Sequence, residues 1–409
     1  MRLALNAAQK GQGNVSPGTL VGAAWIHRSG RGTTSYHARF GGAHAERRLL
    51  DRLRPRPGTG TLYLTLEPCS HHGKTPPCLE RVIAARPLEV VIACIDPNPL
   101  VRGRGVQGLI DAGIPVRVGP GALEAVALTP AFFLFHERQR SWVHLKVATS
   151  LDGRIATEKG ESQWITGELA RRRVHRQRAS ADAVVVGSGT MLADDPELTV
   201  RHVAGPEPTK IVVDSHLRVR PDSRLSRAWN EGVRETRSRL LAGGAAGLES
   251  FSRTGNFWST ENGYVRMPRL ILATVRGHGN RLDRYREAGW EVWELPSKAE
   301  HVSLRSLVKR SAREGLLHLF VEGGPGLSGA LLEEGLVDQL SLYVAPKILG
   351  GSRNWSGLYT ASSLRSAREF ERGGTESLGN DILWTLRRQG VLAELAKCSQ
   401  DWSKNLASS

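Results

Sequence analysis

The sequence predicts an α/β protein made of two fused domains. Short apolar or β-branched runs alternate with helix-like runs through the first 120 residues, and a second series of the same kind begins at Trp142. Alternation of this kind is typical of α/β layers. The stretch between the two series, 119–141, holds Pro120 and Pro130 and predicts a connector. At roughly 150 residues per domain, a chain of 409 residues suits two or three domains.

Each half has its own expected elements. In the first half the expected strands are Leu20–His27, Thr61–Leu66 and Leu88–Ile95, and the expected helices are Ala43–Arg52 and Leu79–Ala85. In the second half the expected strands are Trp142–Ala148, Ala183–Val186, Lys210–Val213, Leu270–Ala273, Leu317–Val321 and Leu340–Val344. We therefore expect domains at 1–140 and 141–390.

Two further segments fall outside this pattern. A polar stretch at about 226–266 has no apolar periodicity and predicts a surface insertion within the second domain. The tail, 391–409, begins as an Ala/Leu-rich helix and ends in serines.

Composition and charge exclude several classes of protein. No run approaches the ~20 apolar residues of a membrane span, and four cysteines are too few for a disulfide scaffold. We expect a cytoplasmic protein that has no membrane partner. The net charge of +16 invites a nucleic-acid partner. We expect none, because the basic residues are mostly Arg and are spread along the whole chain rather than interleaved with aromatics.

Three side chains in the first domain form a candidate zinc site. His44 opens a predicted helix, Cys69 follows a predicted strand, and Cys78 lies beyond an eight-residue gap. One His and two Cys can supply three zinc ligands and leave the fourth position for water. Glu46 lies two residues after His44, where it can face that water and move protons without binding the metal. This combination is the arrangement of zinc deaminases.

The second domain contains a candidate cofactor cradle. The run 317–327, Leu-His-Leu-Phe-Val-Glu-Gly-Gly-Pro-Gly-Leu, places a glycine turn between a strand and a helix. Backbone N–H groups at such a turn can hold phosphate. A different glycine pattern matches the dinucleotide-binding fingerprint, namely Gly103-Arg104-Gly105-Val106-Gln107-Gly108. We expect no such site there, because seven residues with two prolines separate it from the preceding strand.

Longer motifs carry a resemblance to one family. The usual nucleobase deaminase spacing is Cys-x-x-Cys, whereas here the segment reads Glu67-Pro-Cys-Ser-His-His-Gly-Lys-Thr-Pro-Pro-Cys78. This segment and several others resemble the bifunctional deaminase/reductase of riboflavin biosynthesis, and the resemblance covers about 1–388. The other matching motifs are 96–99 (Asp-Pro-Asn-Pro), 103–105 (Gly-Arg-Gly), Lys146, 150–156 and 162–166. The resemblance fails at the 226–266 insertion and in the tail.

The resemblance implies a fold and a function for each half. The first domain would be cytidine-deaminase-like and would deaminate a diaminopyrimidinone ribosylamine 5′-phosphate. His44, Cys69 and Cys78 would bind Zn²⁺, Glu46 would be catalytic, and His37 and Lys74 would line the substrate pocket. The second domain would be dihydrofolate-reductase-like and would use NADPH to convert the ribosyl group to a ribityl chain.

The same resemblance implies ligand contacts in the second domain. The residues that would contact NADPH are Ala148, Trp164, Thr190, Asp194, Ser215, Gly324, Pro325, Gly326, Leu327, Ser328, Gly329 and Ala330. Those that would contact the phosphorylated substrate are Ser162, Arg178, Leu198, Arg201 and Glu322. Lys146 and Asp152 would lie near the pocket floor, without an assigned acid–base role. We also expect a homo-oligomer.

One departure from the family leaves alternatives open. The family has Ser-Pro-Asn-Pro where this chain has Ser16-Pro17-Gly18-Thr19, so Gly18 replaces an Asn that would hydrogen-bond the pyrimidine. An impaired deaminase half beside a working reductase is therefore one alternative. A basic, nucleic-acid-binding zinc deaminase and a non-enzymatic regulatory relative are the others.

Overall fold

The computed structural model of this chain describes residues 1–71, 77–232, 257–260 and 263–407. The described chain divides into two compact units. The first contains Met1–Gln139, Phe257–Arg266 and the C-terminal residues from Gly390 onward, and the second contains the segments between them.

The first unit is built on a mixed sheet with helices around it. Its described strands are β1 (Gly22–His27), β2 (Gly32–Tyr36), β3 (Gly60–Leu66), β4 (Glu89–Cys94) and β5 (Val116–Val118), in the order β2-β1-β3-β4-β5. The pairs β3–β4 and β4–β5 are parallel, and β1 is antiparallel to both of its neighbours. A separate hairpin pairs Phe257–Thr260 with Gly263–Arg266.

The helices of the first unit include the two that carry the candidate zinc ligands. They are α1 (Arg2–Ala8), α2 (Ala45–Leu53), α3 (Cys78–Ala85), α4 (Arg104–Asp111), α5 (Ala122–Leu128) and α6 (Pro130–Arg138), with a short 3₁₀ turn at Gln9–Gly11. Two of these helices, α5 and α6, lie within the stretch 119–141 that the sequence predicts as a connector. Pro130 starts α6 at a position where a missing N–H costs nothing, and Phe133 and Leu134 are buried.

A C-terminal helix, Val391–Ala407, also belongs to the first unit. It contacts α5, α6, β4 and β5. Val391, Leu395 and Ala396 are buried, at a spacing that places them on one helix face. The helix predicted in the tail is therefore present, and it packs on the core of the first unit.

The second unit is a large, mostly parallel sheet. Its described strands are β6 (Trp142–Thr149), β7 (Ala183–Gly187), β8 (Thr209–Val213), β9 (Leu270–Val275), β10 (Glu291–Leu295), β11 (His318–Val321), β12 (Gln339–Val344), β13 (Phe370–Leu378) and β14 (Asp381–Arg388). Their order is β10-β9-β8-β7-β11-β6-β12-β14-β13, antiparallel only at the β12–β14 and β14–β13 pairs.

Helices and a two-faced core complete the second unit. The helices are α7 (Glu168–Ser180), α8 (Ser188–Asp194), α9 (Asp283–Glu287), α10 (Leu304–Arg313) and α11 (Pro325–Glu333), with a further helical segment over 224–232 and minor pieces at Ser297–Lys298, His301–Val302, Gly279–Leu282 and Leu364–Ser366. Successive strand residues point to opposite faces. Val143 and Val185 accordingly lie in one apolar cluster, and Val184 and Val186 lie in another.

The parallel strands position the candidate reductase residues. Thr190 and Asp194 lie on α8 after β7, Ser215 follows β8, and the 324–330 turn follows β11. These elements meet at the carboxyl edge of the sheet, where α/β proteins bind ligands. Of the predicted insertion, 226–232 is helical and 257–260 and 263–266 form the hairpin, while 233–256 and 261–262 lie outside the described residues.

Candidate active sites

The first candidate site lies where β3 ends and two helices begin. His44 precedes the first residue of α2, Cys69 follows β3, and Cys78 is the first residue of α3. Their ligand atoms all lie within 4.8 Å of one another. The structure thus brings together the three side chains that the sequence predicted as zinc ligands.

The spacing of these atoms fits a zinc ion. Nδ1 of His44 lies 3.5 Å from Sγ of Cys69 and 3.4 Å from Sγ of Cys78. Tetrahedral zinc with Zn–S bonds of about 2.3 Å and Zn–N bonds of about 2.0 Å separates N and S by about 3.5 Å. The donor set leaves a fourth position for water, as in catalytic zinc sites.

The two thiols of this cluster have opposite pKa shifts. The hydrogen bond between them holds the pKa of Cys69 down to about 4 and raises the pKa of Cys78. The backbone N–H of Cys78 also donates to Sγ of Cys69 at 3.3 Å. A site that already stabilises one thiolate is suited to a cation, because zinc binds the thiolate form.

Glu46 lies in the first turn of α2, two residues after His44. Its side chain is buried, and Oε2 has no hydrogen-bond partner among the described residues. Burial raises its pKa. A buried carboxyl group with one free oxygen beside a metal site can accept a proton and release it again.

Glu67 is a residue of this site that the sequence analysis did not single out. Its Oε1 accepts hydrogen bonds from the backbone N–H groups of Asp96 and Gly103, both at 2.8 Å. Its Oε2 accepts from the N–H groups of Gly105 and Val106. One buried carboxylate therefore ties the segment before Cys69 to the end of β4 and the start of α4. An acid directly after a buried strand was the available signal.

The same contacts explain why the glycine fingerprint at 103–108 is not a dinucleotide site. The N–H groups that would face a phosphate at the start of α4 are already bound to Glu67. A Cβ on Gly105 would lie 2.2 Å from the carbonyl oxygen of Pro68. The glycine thus serves a close backbone approach inside the first unit.

The predicted substrate residues of the first unit differ in what the structure shows. His37 is buried, its ring centroid lies 5.1 Å from that of His44, and burial lowers its pKa to about 4. It therefore adjoins the ligand cluster. Lys74 lies outside the described residues. Gly18 donates its N–H to the carbonyl oxygen of Val15 at 2.8 Å, and a Cβ there would lie 2.9 Å from that oxygen.

The second candidate site contains a buried group of charges. Nε and Nη2 of Arg178 donate to the two carboxylate oxygens of Glu322, and Nη1 donates to the carbonyl oxygen of Thr199 at 2.9 Å. Nζ of Lys146 lies 4.0 Å from Oε2 of Glu322. Burial raises the pKa of Glu322, but the hydrogen-bonded charge of Arg178, together with that of Lys146, outweighs burial and holds the pKa below its ordinary value. Two predicted substrate residues are thus paired with each other.

The glycine turn before α11 meets the first turn of α8. The backbone N–H of Gly324 donates to Oγ1 of Thr190 at 3.1 Å. A Cβ at Gly189 or Gly326 would meet no atom within 4 Å among the described residues. Open glycine surface beside a helix N-terminus fits the pyrophosphate of a dinucleotide. Gly324, Pro325, Gly326, Leu327, Ser328, Gly329 and Ala330 all lie at this turn or in α11.

The other residues predicted to contact NADPH lie at separate points of the second unit. Oγ of Ser215 accepts from the N–H of Val302 at 3.0 Å. Asp194 is the last residue of α8, and burial raises its pKa. The side chain of Trp164 is 64% exposed, and the guanidinium of Arg171 lies over its ring at 4.6 Å. Ala148 is in β6, opposite Tyr343 of β12.

The remaining predicted substrate residues differ in their exposure to solvent. The side chain of Leu198 is 3% exposed and lies in the core, so only its main chain can reach a ligand. Nη1 of Arg201 pairs with Glu197 at 2.7 Å, and about half of the Arg201 side chain is exposed. Ser162 is half-buried in the segment before Trp164.

Comparison with known proteins separates the same two halves. A family described as "RibD C-terminal domain" matches residues 141–384, and one described as "Cytidine and deoxycytidylate deaminase zinc-binding region" matches residues 1–94. The riboflavin biosynthesis protein RibD of Actinobacillus pleuropneumoniae is 34% identical over 385 residues, which cover 94% of this chain and 93% of that protein. The chain belongs to the RibD family.

Other RibD proteins support the same assignment. The Escherichia coli protein is 33% identical, covering 93% of this chain and 96% of its own. The structure of Acinetobacter baumannii RibD has a TM-score of 0.74 at 29% identity and covers 94% of this chain and 97% of its own. A Thermotoga maritima protein has a TM-score of 0.73 at 29% identity and covers 95% of this chain and 97% of its own; it is titled a diaminohydroxyphosphoribosylaminopyrimidine deaminase/5-amino-6-(5-phosphoribosylamino)uracil reductase.

Membership of the RibD family confirms several predictions from sequence. The fold is a cytidine-deaminase-like zinc domain followed by a reductase domain, and the protein is an enzyme of riboflavin biosynthesis with deaminase and reductase halves. Its cofactors are zinc in the first half and NADPH in the second. Among the described residues, no helix is both long enough and apolar enough to cross a membrane.

Proposed function

We propose that this RibD protein carries out two successive steps on one phosphorylated pyrimidine. The first, in domain 1–140, is hydrolytic deamination of 2,5-diamino-6-ribosylamino-4(3H)-pyrimidinone 5′-phosphate. The second, in domain 141–390, is NADPH-dependent reduction of the ribosyl group to the ribityl chain. The observation that carries the first step is the approach of two thiol sulfurs to Nδ1 of His44, with buried Glu46 beside them.

In the deaminase site, the side chains divide ligand and proton-transfer roles. His44, Cys69 and Cys78 would hold zinc, which would lower the pKa of a water molecule toward neutrality. Glu46 takes a proton during attack on the carbon that bears the 2-amino group, and it returns a proton to the departing ammonia. The free Oε2 and the raised pKa of Glu46 support this role. We assign His37 and Lys74 to substrate binding, as the family resemblance implies.

In the reductase site, NADPH would supply a hydride to C1′ of the ribose. The residues that would hold it are the turn at 324–330, Ala148, Trp164, Thr190, Asp194 and Ser215. Arg178 is paired with Glu322. We assign it the role of holding that carboxylate in place for the ribose hydroxyls, with Ser162 and the main chain of Leu198 nearby. Arg201 is half-exposed and carries a planar guanidinium, which suits the 5′-phosphate.

The alternatives raised by the sequence are not favoured. RibD relatives match both halves of the chain, which argues against a nucleic-acid-binding deaminase and a regulatory relative. An impaired deaminase half rests on Gly18 alone. The homo-oligomeric state and the cytoplasmic location stay predictions from sequence.

The test is to follow each step separately. The diaminopyrimidinone phosphate should release ammonia without NADPH, and the deaminated product should oxidise NADPH when supplied alone. A chain that oxidises NADPH on the deaminated compound but releases no ammonia would establish the impaired-deaminase alternative. Loss of both reactions in reduced, zinc-supplied protein would contradict the proposal.

A further inference from the structure

The C-terminal helix lies outside both family matches, which end at residues 94 and 384. Although it follows the reductase half in sequence, it belongs to the first unit, where it contacts β4 and α5. Its buried residues Val391, Leu395 and Ala396 hold it there. Glu394 on this helix pairs with Arg138 at the end of α6. The end of the chain is thus part of the deaminase unit.

One polar contact from this helix reaches the end of β4. Oγ of Ser399 accepts the backbone N–H of Ile95 at 2.9 Å, and both residues are about 1% exposed. Ile95 directly follows β4 and precedes Asp96. A buried N–H that loses its acceptor destabilises the conformation that buries it.

Asp96, the residue after Ile95, is hydrogen-bonded to the segment that carries the candidate zinc ligand Cys69. The N–H of Asp96 donates to Oε1 of Glu67 at 2.8 Å, and Glu67 lies two residues before Cys69. Two adjacent backbone N–H groups at the end of β4 are therefore held from two sides. One is bound by the C-terminal helix, and the other is bound by the segment that presents a ligand.

We propose that Ser399 is a positioning residue for the deaminase site, and that the C-terminal helix completes this site by holding the end of β4. The inference rests on the proposed zinc site at His44, Cys69 and Cys78. Ser399 acts through Ile95 and Asp96 on the segment that carries Cys69. The reductase site lies in the other unit and is independent of this contact.

Ser399→Ala and Ser399→Thr in the full chain form the test, because Thr keeps the hydroxyl and Ala removes it. Lys397→Ala, at an exposed position of the same helix, is the control. Deamination, NADPH oxidation on the deaminated compound, and the rate at which a chelator removes zinc are measured for each variant well below its unfolding temperature.

We expect Ser399→Ala to lower kcat of deamination roughly tenfold, which corresponds to ~1.4 kcal/mol, with a smaller change in KM and faster zinc loss. Ser399→Thr should recover most of both, and NADPH oxidation should stay at the native level in all variants. Deamination and zinc loss within twofold of native in Ser399→Ala would overturn the inference, as would equal losses in Ser399→Ala and Ser399→Thr. A native chain without deamination would overturn the proposed function, and the zinc-loss rates would then decide the role of Ser399.

Discussion

Nη2 of Arg178 donates to Oε2 of Glu322 at 3.0 Å across 144 residues of chain, and Nε of the same guanidinium donates to the other carboxylate oxygen. The family resemblance implied a substrate contact for each of these residues separately. The structure pairs them, and Nζ of Lys146 lies 4.0 Å from Oε2 of Glu322. The pair makes Glu322 a fixed, ionised acceptor at the carboxyl edge of the sheet.

Replacing Arg178 by Lys should therefore weaken reduction through Glu322. Lys keeps the charge but cannot form two parallel hydrogen bonds to a carboxylate. Loss of one charge-assisted bond at a buried site predicts a fall of roughly ten- to a hundredfold in kcat/KM of NADPH oxidation. Arg176→Lys, at an exposed position of the same helix, is the matched control and should have no effect. An unchanged kcat/KM of NADPH oxidation in Arg178→Lys would show that Glu322 does not need two parallel hydrogen bonds from this position.

Glu46→Gln tests proton transfer at the zinc site. Gln fits the same space and leaves the three ligands in place, but it cannot take a proton. Deamination should fall ~10²–10⁴-fold, while zinc content and NADPH oxidation on the deaminated compound stay unchanged. Glu80→Gln, at an exposed position on α3, is the control. Equal loss of both activities in Glu46→Gln would mean that the two sites are not independent.

The Gly18 departure is tested by comparing two variants. A Cβ at Gly18 would lie 2.9 Å from the carbonyl oxygen of Val15, so any side chain there must displace that loop. Gly18→Ala measures this steric cost alone, and Gly18→Asn adds the amide that the family resemblance implies at this position. If the pyrimidine lacks that contact in the native chain, Gly18→Asn should deaminate roughly tenfold faster than Gly18→Ala. Equal rates would mean that another group already makes the contact.

Acid pH should destabilise the second unit through His144. This side chain is buried, Nε2 is paired with Oγ of Ser341 at 2.8 Å, and its ring stacks on that of His318. Burial, reinforced by His318, holds the pKa of His144 well below its ordinary value. The unfolded chain therefore binds more protons below about pH 6.5, and the free energy of unfolding falls as pH falls from there.

His144→Gln removes this titration and keeps an amide that can bond Ser341. Between pH 6.5 and 5 the native chain should lose up to about 2 kcal/mol more than the variant. Hydrogen-exchange protection of the β6 and β12 amides at both pH values measures the difference within the second unit. Identical losses in native and variant protein would assign the acid sensitivity to other groups.

The sequence predicted those strands and candidate ligands that are marked by a short pattern of neighbouring residues. The strands of the core appear within two residues of their expected bounds at β1, β4 and β6, because apolar runs bounded by Gly and Pro report on burial directly. The three candidate zinc ligands were recognisable because each follows a strand or lies at the start of a helix. Such positions converge in a parallel sheet.

The missed features depend on contacts between distant segments. Glu67 could not be distinguished from a surface acid until Gly103 and Asp96 were placed against it. The helices within the connector 119–141 were missed because Pro130 begins a helix rather than ending one. The pairing of Arg178 with Glu322 depends on β11 lying next to β7 in the sheet, a neighbour relation that neither local sequence reveals.

The most direct test of the account is the zinc content of the full chain and its dependence on Cys78. Reduced, purified protein should carry one tightly held zinc ion per chain. Cys78→Ser should lose that ion and its deaminase activity while it continues to oxidise NADPH on the deaminated compound. A native chain that deaminates the diaminopyrimidinone phosphate without bound metal, or a Cys78→Ser variant that keeps both zinc and deamination, would contradict the assignment of this site.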